Sequence, residues 1–87
     1  LDDIVSYLDK NPSAKVDIRG YTDSSGNSAR NLALSKERAF QIQDYLIAEG
    51  IAEQRITAQG LGATNFLESN RTERLRTMNR RVEIIIK

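Results

Sequence analysis

Two residues of opposite charge stand at the two ends of one loop, and they are the first candidates for a chemical role. Asp23 follows a predicted strand that ends at Tyr21. Arg38 falls in the first turn of a helix predicted to begin at Lys36, and Gly26 lies in the loop that joins the two elements. The pattern therefore places an acid and a guanidinium on neighbouring edges of a single loop.

Both residues also have a purely structural interpretation. Asp23 can stabilise a turn through its own side chain, as aspartates in turns often do. Arg38 can form an ion pair on a solvated helix surface, with Glu37, Asp44 or Glu49 as its partner. Local context alone leaves these alternatives open.

Length and composition limit the classes of function. The chain has 87 residues, enough for one small domain, and a net charge of +1, too small for long-range attraction to nucleic acid or membrane. It has no cysteine and no histidine, which excludes disulfides and removes the commonest general base and metal ligand. No apolar run is long enough to cross a bilayer, and we expect no signal peptide within these residues. Because Leu1 already lies in a helical pattern, we expect a piece of a longer protein, truncated at its N-terminus.

The elements that must position Asp23 and Arg38 follow from periodicity. Apolar residues at helical spacing predict a first helix that stops near Lys10, before Pro12. Alternation predicts strands over 14–21, 55–60 and 80–87. Ser35 is the expected N-cap of a helix over 36–49, and 28–33 could form a short helical turn. The residues expected in the core are Ile42, Leu46, Val82, Ile84 and Ile86.

Two glycines and one short segment complete this outline. Gly50 occupies the position of a left-handed C-cap, after which Ile51 can fold back onto the helix. Gly60, like Gly26, is interpreted as serving backbone geometry. Asn70 and Glu73 resemble a capping box for a last short helix. The predicted fold is an α+β two-layer sandwich of helices on a small mixed sheet, in the order helix, strand, helix, strand, helix, strand.

Five short motifs in order and in register resemble the OmpA-like peptidoglycan-binding domain, the family that includes the peptidoglycan-associated lipoprotein and the flagellar stator protein MotB. The residues that carry the resemblance are Thr22-Asp23-Gly26, Asn31-Leu34-Ser35-Arg38-Ala39, Tyr45-Leu46-Gly50-Ile51, Arg55-Ile56-Gly60-Gly62 and Asn79-Arg80-Arg81-Val82-Glu83-Ile84. The family usually begins with one more strand before the first helix, and this chain has no counterpart for it.

The resemblance implies non-covalent binding of peptidoglycan through the diaminopimelate of its stem peptide. The free end of diaminopimelate carries an ammonium and a carboxylate on one carbon. Asp23 would accept from the ammonium and Arg38 would hold the carboxylate with a two-pronged hydrogen bond, helped by the positive end of its helix. Asn31 would donate to the ligand or brace the loop, and Thr22 would contribute a backbone contact.

The arginine pair before the last strand leaves a choice. Arg80 and Arg81 face opposite sides of a strand, so only one can reach the ligand. The resemblance favours Arg80. Neither a metal nor a cofactor is expected.

The implied location is the periplasm of a Gram-negative bacterium, where the domain would anchor an outer-membrane protein or lipoprotein to the cell wall. The alternative is the wall anchor of a flagellar-type stator. Membrane contact would involve only parts outside this chain, and a homodimer is also considered. A cell-wall hydrolase is disfavoured because the loop offers no second acid. An RNA-binding sheet is disfavoured because the strands lack exposed aromatic residues.

Overall fold

A computed structural model describes residues 1–24, 26–64 and 79–87. The described residues form α1 (Asp2–Lys10), β1 (Val16–Gly20), α2 (Ser28–Ala48), a 3-10 turn (Glu53–Arg55), β2 (Ile56–Gly60) and β3 (Val82–Ile86). The short helix predicted from Asn70 to Met78 lies outside the described residues. The expected alternation of helices and strands is otherwise confirmed.

The three strands make one mixed sheet in the order β2-β1-β3. β1 is parallel to β2, with Val16 opposite Ile56, and antiparallel to β3, with Val16 opposite Ile86. Both helices pack on one face of this sheet, where α1 contributes Leu8 to the buried cluster and α2 contributes Leu46. The predicted α+β two-layer architecture is therefore confirmed.

The first helix ends where the sequence predicts, at Lys10. Arg55 then satisfies the carbonyls that the helix end leaves without intrahelical partners. Its Nη2 donates to the carbonyls of Leu8 (2.8 Å) and Asn11 (2.9 Å), and its Nε donates to that of Ala14 (3.0 Å). One arginine thus ties α1 and the turn after it to the start of β2.

The second helix begins earlier than predicted. It starts at Ser28 rather than Lys36, and Asn27 is its N-cap: the Asn27 side chain accepts from the backbone N–H of Arg30 at 3.0 Å. The short turn expected over 28–33 and the main helix are one continuous element of 21 residues. Arg38 consequently lies in the middle of α2 and not in its first turn, so the expectation that the helix dipole assists it is wrong.

Ser35 is not a cap but a buried residue inside α2. Its hydroxyl donates to the carbonyl of Leu32 at 2.8 Å and accepts from the backbone N–H of Gly62 at 2.9 Å. A serine can do this within a helix because its hydroxyl bonds back to the preceding turn and still has an acceptor lone pair. The contact fixes the segment after β2 against α2.

Two glycines in neighbouring strands let α2 approach the sheet closely. Gly20 and Gly60 face each other in the β1–β2 register. A Cβ on Gly20 would lie 2.2 Å from the carbonyl oxygen of Ser35, and one on Gly60 would lie 2.3 Å from the backbone nitrogen of Lys36. Gly60 therefore serves backbone geometry through the close approach of α2, and it is not among the glycines with a positive φ.

The strands are shorter than predicted, and their burial is uneven. The predicted strands over 14–21, 55–60 and 80–87 are observed as β1, β2 and β3, each shorter by one or two residues at one or both ends. Val82 and Ile84 are half-buried against the core, but Ile86 is 36% exposed, so its assignment to the core is wrong. Its position opposite Val16 on an outer strand leaves one side of Ile86 without a neighbouring strand among the described residues.

The end of α2 follows the prediction. Gly50 has a positive φ of 95°, and the N–H of Ile51 donates to the carbonyl of Leu46 at 3.0 Å. Ile51 is buried, as expected for a residue that folds back onto the last turn.

The face of β1 opposite the helices carries charges. Asp17 is only 4% exposed, and its Oδ2 accepts from Arg19 at 2.7 Å and lies 3.7 Å from Lys87 Nζ. The hydrogen bond to Asp17 raises the pKa of Arg19 above its ordinary value. The polar face predicted for this strand is thus present, with its central carboxylate covered by cationic side chains.

Candidate functional site

The candidate site forms where β1 ends and β3 begins. Because β1 and β3 are antiparallel, with Gly20 opposite Val82, the residues after β1 lie beside those before β3. Asp23 leaves the sheet there, and Arg80 enters it. Arg80 Nη1 donates to Asp23 Oδ2 at 2.5 Å, although the two residues are 57 positions apart in the chain.

Asp23 is a buried carboxylate next to a cavity. The residue is 3% exposed, and the cavity has a volume of about 350 Å³. This volume lies within the range of small-molecule sites, roughly 300–1,000 Å³. The described residues that line it are Asp23, Gly26, Asn27, Arg30, Asn31, Leu34 and Arg80.

One face of α2 forms a wall of this cavity. Asn27, Arg30, Asn31 and Leu34 have the i, i+3, i+4, i+7 spacing that places side chains on the same side of a helix. Arg38 continues this face one turn beyond Leu34, about 6 Å further along the axis. It is half-buried, and among the residues that the structure describes its guanidinium has no hydrogen bond or ion pair.

That observation bears on the structural interpretation of Arg38. Ion pairs with Glu37, Asp44 or Glu49 were the alternatives, and the described part of the chain contains none of them. Arg38 does not line the cavity itself. The structure brings Asp23, Asn31 and Arg80 together and places Arg38 next to them along α2.

Thr22 and Asn31 take different positions. Thr22 is buried, and its N–H donates to the carbonyl of Gly62 at 2.9 Å. Its contact with a ligand stays a prediction. Its hydroxyl oxygen is buried and has no hydrogen-bond partner among the described residues. Asn31 is half-buried and lines the cavity from the first turns of α2.

The two arginines before β3 separate as the strand alternation predicts. Arg80 lines the cavity, whereas the Arg81 guanidinium lies 4.0 Å from the centre of the Tyr21 ring. Arg81 also donates from Nε to Glu83 at 2.7 Å. Of the pair, Arg80 is therefore the one at the candidate site.

Sequence reasoning missed three lining residues: Asn27, Arg30 and Leu34. The misplaced start of α2 is the cause. Their spacing relative to Asn31 was visible in the sequence, but it becomes a helix face only when the helix begins at Ser28.

The charges around the cavity are unbalanced. Among the described lining residues there is one carboxylate, on Asp23, and there are two guanidiniums, on Arg30 and Arg80. No group of three or more acidic residues that could hold a metal occurs in the described ranges. No helix there is long and apolar enough to cross a membrane. The arrangement suits a small ligand that carries both an ammonium and carboxylates.

Comparison with known proteins identifies the family. Residues 1–80 match the model of the OmpA family. The chain belongs to the OmpA family. Over 86 residues, this OmpA-family chain is 43% identical to the peptidoglycan-binding protein ArfA of Mycobacterium tuberculosis, a match that covers 99% of the chain and 26% of ArfA. The chain thus spans about a quarter of that relative.

Solved structures of the family share the fold. The peptidoglycan-associated lipoprotein of Burkholderia pseudomallei superposes with a TM-score of 0.91 at 28% identity, covering 98% of this chain and 72% of that one. The C-terminal domain of Helicobacter pylori MotB gives 0.88 at 26% identity, covering 99% and 67%. The resemblance to the family read from the five motifs is confirmed.

Proposed function

We propose that this OmpA-family domain binds peptidoglycan without cleaving it, and that the ligand group it captures is the zwitterionic end of diaminopimelate. The observation that carries the proposal is the buried Asp23 carboxylate, which lines a cavity of about 350 Å³. The name of ArfA, a peptidoglycan-binding protein, supports the same polymer as ligand.

Asp23 is the proposed acceptor for the ammonium. Its carboxylate is removed from bulk water, so a charge-assisted hydrogen bond to it is stronger than one on an exposed surface. Arg80 already donates to Oδ2. An incoming ammonium must therefore share the carboxylate with Arg80 or replace it, and a displaced Arg80 guanidinium is then available to a ligand carboxylate.

Arg38 is the proposed partner of the carboxylate on the same carbon. Its guanidinium offers paired donors that match a carboxylate. Because Arg38 lies in the middle of α2, free N–H groups of a helix end do not assist it. The guanidinium alone must supply the interaction, about 1.5–3 kcal/mol for a hydrogen bond to a charged group.

The remaining candidate residues have supporting roles. Asn31 lines the cavity from α2, seven residues before Arg38, and would donate to the ligand or brace the loop. Thr22 holds the loop through its N–H bond to Gly62. Two charged contacts give a weak to moderate site, which suits attachment to a polymer through many copies.

A binding role explains this cavity better than hydrolysis does. Glycoside hydrolases use two carboxyl groups on either side of the bond they cleave. Among the described lining residues Asp23 is the only acid, and it is held by Arg80. The cavity is therefore built for holding a charged group.

The relatives support a general cellular location for this chain. The matched proteins include a lipoprotein and a MotB domain, and we propose that this chain attaches its parent protein to the cell wall in the periplasm. A stator anchor fits the fold equally well. ArfA is mycobacterial, so the relatives do not single out a Gram-negative envelope. Homodimer formation stays a prediction.

Calorimetry with soluble muropeptides tests the proposal. The domain is titrated with a stem peptide that contains diaminopimelate and with the same peptide containing lysine, which keeps the ammonium but lacks the neighbouring carboxylate. We expect binding of the first, and an affinity for the second lower by about tenfold to 150-fold, since one charge-assisted contact is lost. Asp23→Asn and Arg38→Gln should each cause a loss of the same order.

Glu37→Gln is the matched control, because it changes one charge beside Arg38 on an exposed position. It should leave the affinity unchanged. Circular dichroism of each variant shows whether the fold is retained. Native spectra together with full binding by Asp23→Asn and Arg38→Gln would overturn the assigned roles, and equal affinity for both peptides would overturn the diaminopimelate specificity.

A further inference from the structure

Arg30 places a positive charge at the cavity, and no described residue of the chain pairs with its guanidinium. The residue is exposed and lines the cavity from the first turn of α2. Its backbone N–H is bonded to the Asn27 side chain. Among the residues that the structure describes, its guanidinium makes no hydrogen bond or ion pair.

The position of Arg30 in the helix is unfavourable for a cation. The first turn of a helix carries the positive end of the macrodipole, where acidic side chains are stabilising and basic ones are not. The first turn of α2 contains no acidic residue to offset Arg30. An exposed arginine is usually just a solvated side chain, but this one lies against a cavity and opposes its own helix dipole.

The neighbouring charges do not neutralise it. The carboxylate of Asp23 is engaged by Arg80 at 2.5 Å, and it is the only acid among the described residues that line the cavity. Arg30 therefore leaves the cavity mouth positive, which favours an anionic group on whatever enters.

Arg30 and Arg38 lie far enough apart on α2 to contact different groups of one ligand. They are eight residues apart on α2, about 12 Å along its axis. If Arg38 holds the carboxylate of the zwitterionic end, Arg30 is available to a different anionic group. Diaminopimelate has a second carboxylate at its other end, and that group is free when the stem peptide terminates at diaminopimelate.

We propose that Arg30 determines specificity for this second carboxylate. The domain would then prefer stem peptides in which the second carboxyl group of diaminopimelate, at the end away from the zwitterionic carbon, is a free acid. The inference rests on the proposed function, because it assumes the zwitterionic end occupies the cavity. The interaction takes place at an exposed residue, which makes it smaller than the contacts at Asp23 and sensitive to salt.

Two soluble ligands test the proposal: a muramyl tripeptide that ends at diaminopimelate with a free carboxylate, and the same tripeptide with that carboxyl converted to an amide. In calorimetry at low salt, the wild-type domain should bind the acid about threefold to tenfold more tightly than the amide. Arg30→Gln should bind both equally, with the affinity of the wild-type domain for the amide. Lys10→Gln removes the same charge from the end of α1 and should keep the preference.

Equal affinity of the wild-type domain for acid and amide overturns the role of Arg30, as does a preference that Arg30→Gln retains. Asp23→Asn separates this outcome from failure of the proposed function. If Asp23→Asn loses both ligands while Arg30→Gln keeps the preference, only the inference about Arg30 is wrong. If the wild-type domain binds neither ligand, both proposals are wrong.

Discussion

Replacing Gly60 by alanine perturbs the contact that holds α2 against the sheet. The added Cβ would lie 2.3 Å from the backbone nitrogen of Lys36, 2.6 Å from its Cα and 2.5 Å from its Cγ. The Cγ belongs to a flexible side chain and can move away. The other two atoms are backbone in the middle of a 21-residue helix, so relief requires α2 itself to shift.

The size of the effect follows from that geometry. Overpacking a core contact costs about 1–3 kcal/mol, and a clash with backbone belongs at the upper end or beyond. A domain of 87 residues is stable by roughly 4–13 kcal/mol. A loss of about 3 kcal/mol lowers the midpoint of thermal unfolding by about 12–24 °C for a chain of this size. Because α2 also carries Asn31 and Arg38, the shifted helix should weaken peptidoglycan binding as well.

Thermal unfolding followed by circular dichroism measures this loss. Gln59→Ala is one control, since Gln59 precedes Gly60 on β2 and is exposed. Gly26→Ala is another: a Cβ there meets no atom of the described residues within 4 Å, and its cost of about 1–2 kcal/mol comes from the positive φ of 78°. A Gly60→Ala midpoint within about 2 °C of the wild type, or one no lower than that of Gly26→Ala, would refute close packing as the reason for glycine.

Two further predictions concern contacts of α2. Ser35→Ala removes the acceptor of the buried Gly62 N–H, now bonded at 2.9 Å, and should lower the free energy of unfolding by about 1–3 kcal/mol. Urea denaturation measures this, and a loss under about 0.5 kcal/mol would contradict it. Tyr45 donates to Asp2 at 2.9 Å, and this hydrogen bond is the main cause of its raised pKa. A raised pKa stabilises the folded state below the ordinary value of 10.0, and the contribution disappears as pH rises through the folded-state pKa. Urea unfolding of Tyr45→Phe between pH 8 and about 11.5 should show a smaller alkaline decline than the wild type; an equal decline would contradict this.

The sequence predicts those features of the fold that depend on neighbours in the chain. Helical spacing and Pro12 locate the first helix, and alternation locates the strands to within a few residues. Gly50 predicts the end of α2 because a left-handed residue there is a local requirement. The start of α2 is different. Asn27 and Ser35 are both good N-caps, and what distinguishes them is the hydrogen bond that the Ser35 hydroxyl accepts from the backbone N–H of Gly62, 27 residues away.

In the candidate site, too, local patterns predict some residues, and only the tertiary structure identifies the others. The motifs indicate Asp23 and Asn31, and alternation states that Arg80 and Arg81 face opposite ways. Which of the two faces the cavity depends on the antiparallel register of β1 and β3, which no local pattern encodes. The sequence did not predict Arg30 as a site residue, because Arg30 lies on the cavity face of a helix only when α2 begins at Ser28.

The contacts that stabilise the fold and those that shape the cavity are largely the same. The absence of a Cβ on Gly20 and Gly60 lets the middle of α2 lie on β1 and β2, and the Ser35 hydroxyl fixes the segment after β2 to that point. These contacts set the distance between α2 and the end of β1, where Asp23 leaves the sheet. A substitution that moves α2 away from the sheet must therefore change the shape of the cavity even when the domain stays folded. We expect such a substitution to lower ligand affinity at a perturbation too small to lower the helix content.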